Sequence, residues 1–319
     1  MTESQLARLS ECLWPKGERR DIWMIVDGAR SPRVFETLLE SSFLSSCLYA
    51  GYVPRLLEGS APYLVQLEHE DKQSRRLLTR AWGQCWGVLL RCDTRLETLR
   101  KHLRSFLKVV DQKGQRLLFR YYDPRVLRLF LPSCGGEELR TFFGPVEQFW
   151  TEGENDDEVI QFSLDGSKLS RLSFALNSTG RIALSGGPTE YRGSLRRFPG
   201  MLVIRTEQMS AFSAAAEKQF EDWMVLHLNK FFASKCSRMG EDALRELIRY
   251  GIRRAASYGL TIRREVCKYI DVMLVFGRDF EKDPRHAWAQ PILARNGQVG
   301  KGQALISAAH AELRATVRK

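Results

Sequence analysis

Short apolar runs alternate with amphipathic segments along the first 150 residues. The run IWMIV at 22–26 is apolar throughout, which indicates a buried strand. Similar runs, APYLVQL at 61–67, WGVLLR at 86–91 and RLLFRYY at 116–122, predict three further strands. Strands that alternate with helices are typical of an α/β lobe, so we expect the sheet to be at least partly parallel.

Helical periodicity fills segments between these strands. Ser31 is placed to cap a helix whose first position is Pro32, and Thr94 with Glu97 predicts a capping box for another. The apolar face of the first helix comprises Phe35, Leu38, Leu39 and Phe43. That of the second comprises Leu96, Leu99, Leu103, Phe106 and Leu107. Each set forms an apolar stripe along one side of its helix.

The pattern changes after residue 150. Following the acidic run at 154–158, the segments VIQFSL, LSRLSFAL and RIALSG are separated by the turn sequences DGSK and NSTG. They predict a small antiparallel meander that either extends the first lobe or bridges to a second. From 205 onwards the apolar spacing is helical. We therefore predict an α/β (α+β) fold with an α/β domain at 1–150, a meander at 151–204 and an all-helical lobe at 205–319.

Charge and hydropathy narrow the classes of function. The formal net charge is +11, which would attract nucleic acid, acidic lipid or an acidic protein. The Lys and Arg residues are spread along helix faces without a nucleic-acid-binding motif, so we expect no nucleic-acid partner. No apolar run approaches about 20 residues, and the N-terminal segment lacks a signal-peptide pattern. We expect a cytoplasmic protein without membrane insertion.

Motifs for chemistry are sparse. The sequence contains no nucleophile elbow, phosphate-binding loop, dinucleotide fingerprint or zinc-protease motif. Its seven cysteines include no C-x-x-C pair, and its five histidines never pair at metal-ligand spacing. We predict no catalytic residue, no metal site and no cofactor.

Ionisable residues interrupt the apolar segment 117–131. Asp123 precedes Pro124, a pair suited to the start of a helix, and Arg120 or Arg125 would neutralise the capping carboxylate. The tyrosines at 121 and 122 would point to opposite faces of a strand, so at most one can enter a given core. These residues are therefore interpreted as a structural corner.

An alternative interpretation makes the corner catalytic. Asp27 ends the predicted strand at 22–26, where open α/β sheets place ligand-binding residues. With Arg30, Arg120 and Asp123 it would form an enzyme site for a phosphorylated substrate. This interpretation requires all four side chains to converge in one cleft.

Several short blocks, taken in order, match a known pattern. RYYDPR at 120–125 resembles the R-[FY]-[YW]-D-P-R block of the bacterial type VI secretion effector chaperones, also called adaptors. The blocks VDGAR at 26–30, APYLVQL at 61–67, WGVLL at 86–90, HLR at 102–104 and FGPV at 143–146 agree as well. YGL at 258–260 and FGRDFEKDPRHAWAQPIL at 276–293 look like the helical C-terminal part of that family. The motif positions are Asp27, Arg30, Pro62, Tyr63, Trp86, Arg104, Arg120, Tyr122, Asp123, Pro124, Arg125, Gly144 and Pro145.

This resemblance implies a function without catalysis. Adaptors of the family bind a toxic effector in the cytosol and help to mount it on the spike protein VgrG or on a PAAR-type tip. The implied partners are thus a cognate type VI effector and a VgrG or PAAR spike protein, with no cofactor. We expect the helical lobe to carry much of the effector contact, because grooves between amphipathic helices accept a partner helix. An enzyme and a basic nucleic-acid-binding protein are the alternatives.

Overall fold

The computed structural model describes residues 1–17, 21–177, 181–183 and 201–317. The chain divides into two compact units, Met1–Phe212 (unit 1) and Ser213–Lys319 (unit 2). The strands are β1 Ile22–Asp27, β2 Ser45–Cys47, β3 Pro62–Leu67, β4 Gly87–Arg91, β5 Lys108–Asp111, β6 Arg116–Leu118, β7 Gln148–Glu152, β8 Glu158–Asp165, β9 Lys168–Ala175, β10 Arg181–Ala183 and β11 Val203–Ile204. The helices are α1 Glu3–Leu13, α2 Pro32–Leu39, α3 Arg55–Glu58, α4 Lys72–Ala81, α5 Leu96–Ser105, α6 Pro124–Ser133, α7 Gly136–Phe143, α8 Thr206–Phe231, α9 Ala233–Met239, α10 Glu241–Ser257, α11 Arg263–Phe276, α12 Ala289–Leu293 and α13 Lys301–Val317.

The main sheet of unit 1 has eight strands in the order β10-β9-β8-β7-β4-β1-β3-β2. All of its neighbouring strands are antiparallel, so the predicted parallel pairing is wrong for this sheet. The crossover through α4 does join two parallel strands, β3 and β4, but β1 lies between them and pairs with both. A separate sheet, β11-β5-β6, contains the parallel pair β11–β5. The mixed α/β class of the N-terminal part is confirmed.

Helices cover both faces of the main sheet, which explains the uninterrupted apolar run of β1. Ile22, Met24 and Val26 pack into one core with α1 and α4. Trp23 and Ile25 pack into the other core with α5, α6 and α7. Since a strand buried on both faces has no solvent side, its sequence shows no polar alternation.

The predicted helices are present, but some of their details differ. α2 begins with Ser31 accepting a hydrogen bond from the Arg33 amide (3.3 Å) and with Pro32 in first position, as expected. Its buried positions are Val34 and Thr37, whereas Leu39 is exposed. The N-cap of α5 is Arg95 without a side-chain cap, so the capping box predicted there is wrong. The apolar stripe of α5 is buried from position 99 onwards.

The meander extends the main sheet of unit 1. β8 and β9 form a hairpin whose turn, within DGSK, has Gly166 at φ +60. Glycine suits this position because other residues rarely adopt a positive φ. The third predicted strand is described only at β10, and most of the second turn sequence, 178–180, lies outside the described residues.

Unit 2 is helical, as predicted. The apolar stripes of α10 and α11 face a common core, with Leu244 and Ile248 on the first helix and Tyr269 and Ile270 on the second. Within the described part of the chain, none of the helices combines the length and the hydropathy needed to cross a bilayer.

Candidate functional site

The antiparallel register brings three chain segments together at one end of the main sheet. β4 begins at Gly87, and its neighbours β1 and β7 end beside it at Asp27 and Glu152. The Asp27 amide donates a hydrogen bond to the Trp86 carbonyl (2.7 Å). The loop 82–86 therefore lies between the acidic side chains of Asp27 and Glu152. We call the polar residues gathered here, Asp27, Cys85, Arg120, Asp123, Arg125, Arg128 and Glu152, the corner cluster.

Asp27 connects β1 to the segment that precedes α6. Its carboxylate accepts a hydrogen bond from the Ala29 amide (3.1 Å) and forms an ion pair with Arg120. The Asp27 side chain is 1% exposed, whereas that of Arg120 is 40% exposed. Burial, the largest single cause, lowers the pKa of Arg120, but the hydrogen bond that Arg120 donates to Asp27 and the charge of that carboxylate together outweigh it, so this pKa is raised. The buried carboxylate is thus neutralised by a partly solvated cation.

Asp123 is the N-cap of α6, as predicted, and Pro124 is its first residue. Asp123 Oδ1 accepts from the Arg125 backbone amide (3.0 Å) and from Arg125 Nε (2.8 Å). Arg125 Nη2 donates to the other carboxylate oxygen. The hydrogen bond to Asp123 raises the pKa of Arg125. Of the two arginines considered for neutralising the cap, Arg125 does so, while Arg120 pairs with Asp27.

The two tyrosines of the corner correct a prediction. The fourth strand ends at Leu118, so Tyr121 and Tyr122 lie in a turn rather than in an extended strand. Both enter the same core, with their ring centroids 5.6 Å apart, and the expectation that only one could do so is wrong. Successive side chains alternate between the two faces of an extended strand, but this rule does not apply to residues in a turn. The Tyr121 hydroxyl donates a hydrogen bond to the Leu103 carbonyl (2.8 Å). Burial raises the pKa of the neighbouring Tyr122.

The other side of the corner cluster involves Glu152 and Cys85, which the sequence did not single out. Glu152 accepts a hydrogen bond from the Gly83 amide, and its own backbone carbonyl accepts one from Arg128. Burial raises the pKa of Glu152. Burial and the nearby Glu152 charge raise the pKa of Cys85 to about 12. Since the reactive species of cysteine is the thiolate, this thiol is not an activated nucleophile at neutral pH.

Cys85 also has an unusual backbone conformation. Its φ is +52, in the left-handed region that side-chain-bearing residues adopt rarely. Arg30 fixes this loop by donating from Nε to the carbonyl of the preceding residue, Gln84 (2.9 Å). Arg30, one of the motif positions, therefore stabilises the backbone of the loop 82–86.

The remaining motif residues fix backbone or pack at several places. Pro62 faces Asp27 across the β1–β3 pair, and the Tyr63 hydroxyl donates to the Glu58 carbonyl (3.0 Å). Arg104 Nε donates to the Leu48 carbonyl (2.9 Å).

Gly144 and Pro145 lie at the opposite end of β4. Gly144 ends α7 with φ +50, and a Cβ at this position would collide with the His102 ring. The Pro145 carbonyl accepts a hydrogen bond from the Cys92 thiol (3.2 Å). These two residues therefore belong to the framework and lie away from the corner cluster.

The corner cluster can hold chain segments together, and its charges are engaged in doing so. Asp27 and Arg120 are brought together, as the enzyme interpretation requires. Asp123, however, is bound by its own helix and by Arg125, and Arg30 is bound to a backbone carbonyl. The four side chains do not present a shared set of free groups to a substrate.

A second polar cluster lies in unit 2, among residues that no sequence motif singled out. His227 of α8 meets Cys267 and Asp271 of α11, with ligand atoms within 4.8 Å of one another. Metal-site motifs that are recognised by spacing have ligands close together in sequence, whereas His227 is 40 residues from Cys267. The available signal was the four-residue spacing of Cys267 and Asp271, which places both on one helix face.

Comparison with known protein families gives a match in unit 1. Residues 22–141 match the family model described as Domain of unknown function (DUF4123). The match runs from β1 into α7 and includes the RYYDPR block, whereas Gly144, Pro145 and unit 2 lie beyond it. No curated protein and no solved structure matches the chain.

Proposed function

We propose that this chain is a non-enzymatic adaptor that binds a type VI secretion effector and promotes its loading onto a VgrG or PAAR spike protein. The observation that carries the proposal is the DUF4123 match over residues 22–141, because that domain family is associated with effector-loading adaptors. The corner cluster is consistent with this role. Its residues tie strand ends, a loop and a helix together, which suits a rigid scaffold that presents surfaces to partners.

The surface proposed for the effector is the exposed face of α8 in unit 2. Trp223, Leu226 and Phe231 are exposed there. Leu226 follows Trp223 by one turn, and Phe231 ends the row of residues 223, 227 and 231 at four-residue spacing. The rings of Trp223, His227 and Phe231 follow one another at centroid distances of 5.1 and 4.9 Å. Lys230 lies over the Phe231 ring. We call this set the α8 face.

The α8 face suits an amphipathic effector helix with acidic flanks. Apolar anchors at helical spacing would enter such a surface, and aromatic side chains commonly anchor interfaces. The net charge of +11 would speed the encounter with an acidic partner and make it sensitive to salt.

The test is capture of partners by the tagged full-length chain in the producing cell while the secretion system is expressed. Recovery of an effector together with a VgrG or PAAR spike protein supports the proposal, and recovery of neither contradicts it. Leu226→Glu should weaken effector capture at least about tenfold, since a buried charge at an interface costs several kcal/mol. Leu56→Glu is the matched control: Leu56, in α3 of unit 1, is 94% exposed and Leu226 is 71% exposed.

The two variants also decide which surface is used. If Leu56→Glu abolishes capture while Leu226→Glu does not, the effector binds unit 1 and the assignment to the α8 face is wrong. Circular dichroism of both variants should match the wild type, because both positions lie on the surface.

A further inference from the structure

Three potential metal ligands converge between α8 and α11. His227 Nε2 lies 2.9 Å from Asp271 Oδ1 and 3.5 Å from Cys267 Sγ. Cys267 Sγ lies 3.9 Å from Asp271 Oδ2. Cys267 is buried, and the side chains of His227 and Asp271 are 17% and 14% exposed. The cluster thus lies just below the surface of unit 2.

Local structure fixes the positions of these side chains. Cys267 and Asp271 are one turn apart on α11 and face the same side. The His227 ring lies between Trp223 and Phe231, at centroid distances of 5.1 and 4.9 Å. Ligands held on helices and restrained by packing are the arrangement that a preformed metal site requires.

The contacts differ from those of a catalytic Cys–His–Asp triad. In such a triad the nucleophile and the carboxylate engage different nitrogens of the imidazole ring, so that the ring can relay a proton. Here the thiol and the carboxylate both approach Nε2 of His227. A thiol and a carboxylate that share one ring nitrogen favour a common bound cation over proton relay.

We infer that His227, Cys267 and Asp271 form a binding site for a zinc-class divalent cation. Tetrahedral zinc with ordinary bond lengths places nitrogen and sulfur ligands about 3.6 Å apart, nitrogen and oxygen about 3.3 Å, and sulfur and oxygen about 3.5 Å. The His227 Nε2–Cys267 Sγ separation of 3.5 Å agrees with the first value to about 0.1 Å. The two carboxylate oxygens of Asp271 each make one of the other contacts: Oδ1 lies 2.9 Å from His227 Nε2 and Oδ2 lies 3.9 Å from Cys267 Sγ, each about 0.4 Å from the corresponding value. A bound cation requires the Asp271 carboxylate to rotate so that one of its oxygens faces both partners.

The donor set and its charge fit this class of cation. Imidazole nitrogen, thiolate sulfur and carboxylate oxygen are the zinc ligands of proteins, and three of them leave a fourth position for water or a partner group. On binding, the cysteine proton leaves to solvent, and a charge of +2 balances thiolate and carboxylate.

The experiment is a Co²⁺ titration of the full-length chain after removal of metal with a chelator. A cysteine–cobalt bond produces a thiolate-to-metal charge-transfer band in the near ultraviolet, and tetrahedral cobalt absorbs strongly in the visible. We expect both bands to saturate at one Co²⁺ per chain and to disappear when Zn²⁺ is added. Co²⁺ binding without a thiolate band would overturn the assignment, and so would absence of stoichiometric binding.

Variants connect the bands to the three residues. Cys267→Ala should abolish the charge-transfer band, and His227→Gln or Asp271→Asn should weaken Co²⁺ binding by at least about 100-fold, since even outer-shell partners contribute about 10- to 100-fold. Cys236→Ala is the matched control for a buried thiol of unit 2, and His310→Gln for an exposed histidine. Unchanged binding in His227→Gln or Cys267→Ala, with circular dichroism like the wild type, would refute the site. Equal loss in the controls would refute it as well.

Discussion

Replacing Arg120 by methionine should destabilise unit 1 more than replacing Asp27 by asparagine, although both substitutions remove the same ion pair. The difference follows from unequal burial, because the Asp27 side chain is 1% exposed and that of Arg120 is 40% exposed. Arg120→Met leaves a buried carboxylate with the Ala29 amide as its remaining hydrogen-bond donor. Asp27→Asn leaves an arginine that water can already reach.

The magnitudes follow from the same contacts. Breaking a buried pair by removing one partner costs about 3–5 kcal/mol, and the hydrogen bond to Ala29 places Arg120→Met near the low end, at about 3 kcal/mol. Asp27→Asn keeps an acceptor for the Ala29 amide and should cost about 1 kcal/mol. In the double variant no charge remains buried, so it should be more stable than Arg120→Met alone.

Urea unfolding measured by tryptophan fluorescence provides the assay. Five of the seven tryptophans report on unit 1, namely Trp14, Trp23, Trp82, Trp86 and Trp150. Arg120→Lys, which keeps the charge, is the matched control and should fall between the wild type and Arg120→Met. Equal costs for the two single substitutions, with an additive double variant, would show that burial of the Asp27 charge is not the cause.

Two further predictions concern the same end of the sheet. Asp123→Ala should lower the free energy of unfolding by about 2 kcal/mol, because it removes the cap of α6 and a partner of Arg125. Effector capture by the folded fraction should stay unchanged. An unaltered melting temperature together with lost capture would contradict the structural role. Glu152→Gln tests pH dependence. Burial raises the folded-state pKa of Glu152 above 4.5, so the wild type loses stability as pH rises through that raised value, and the glutamine variant does not. The stability of Glu152→Gln relative to the wild type, from urea unfolding at several pH values, should therefore increase from pH 4.5 towards neutrality, and a constant difference would refute this.

Local signals in the sequence were sufficient for many elements. The cap at Ser31, the Asp123–Pro124 helix start, the buried run of β1 and the hairpin at Gly166 depend on neighbouring residues, so they can be read from a few positions. The same holds for the helical stripes of unit 2.

Strand pairing and long-range contacts could not be predicted from neighbouring residues. The alternation of strands and helices suggested a parallel sheet, but nothing near β3 or β4 indicates that β1 inserts between them. Arg120 had a local candidate partner in Asp123, and its actual partner, Asp27, is 93 residues away.

Prediction also failed where a local rule was applied beyond its element. Alternation was assumed for Tyr121 and Tyr122, yet the strand had already ended at Leu118. His227, Cys267 and Asp271 were missed for a related reason, because the packing of two helices, and not sequence spacing, brings them together.

The position of β11 has a consequence for synthesis of the chain on the ribosome. β11 pairs in parallel with β5 and Ile204 packs into the core beside α6, so this part of unit 1 cannot close until residues 203–205 have emerged. Arg205 then binds Glu138 of α7 and the Ser133 carbonyl at the end of α6. Contacts this distant in sequence form late and slowly. A nascent or truncated chain that ends before Arg205 exposes part of the core, which makes it a substrate for chaperones and proteases rather than a functional half-protein.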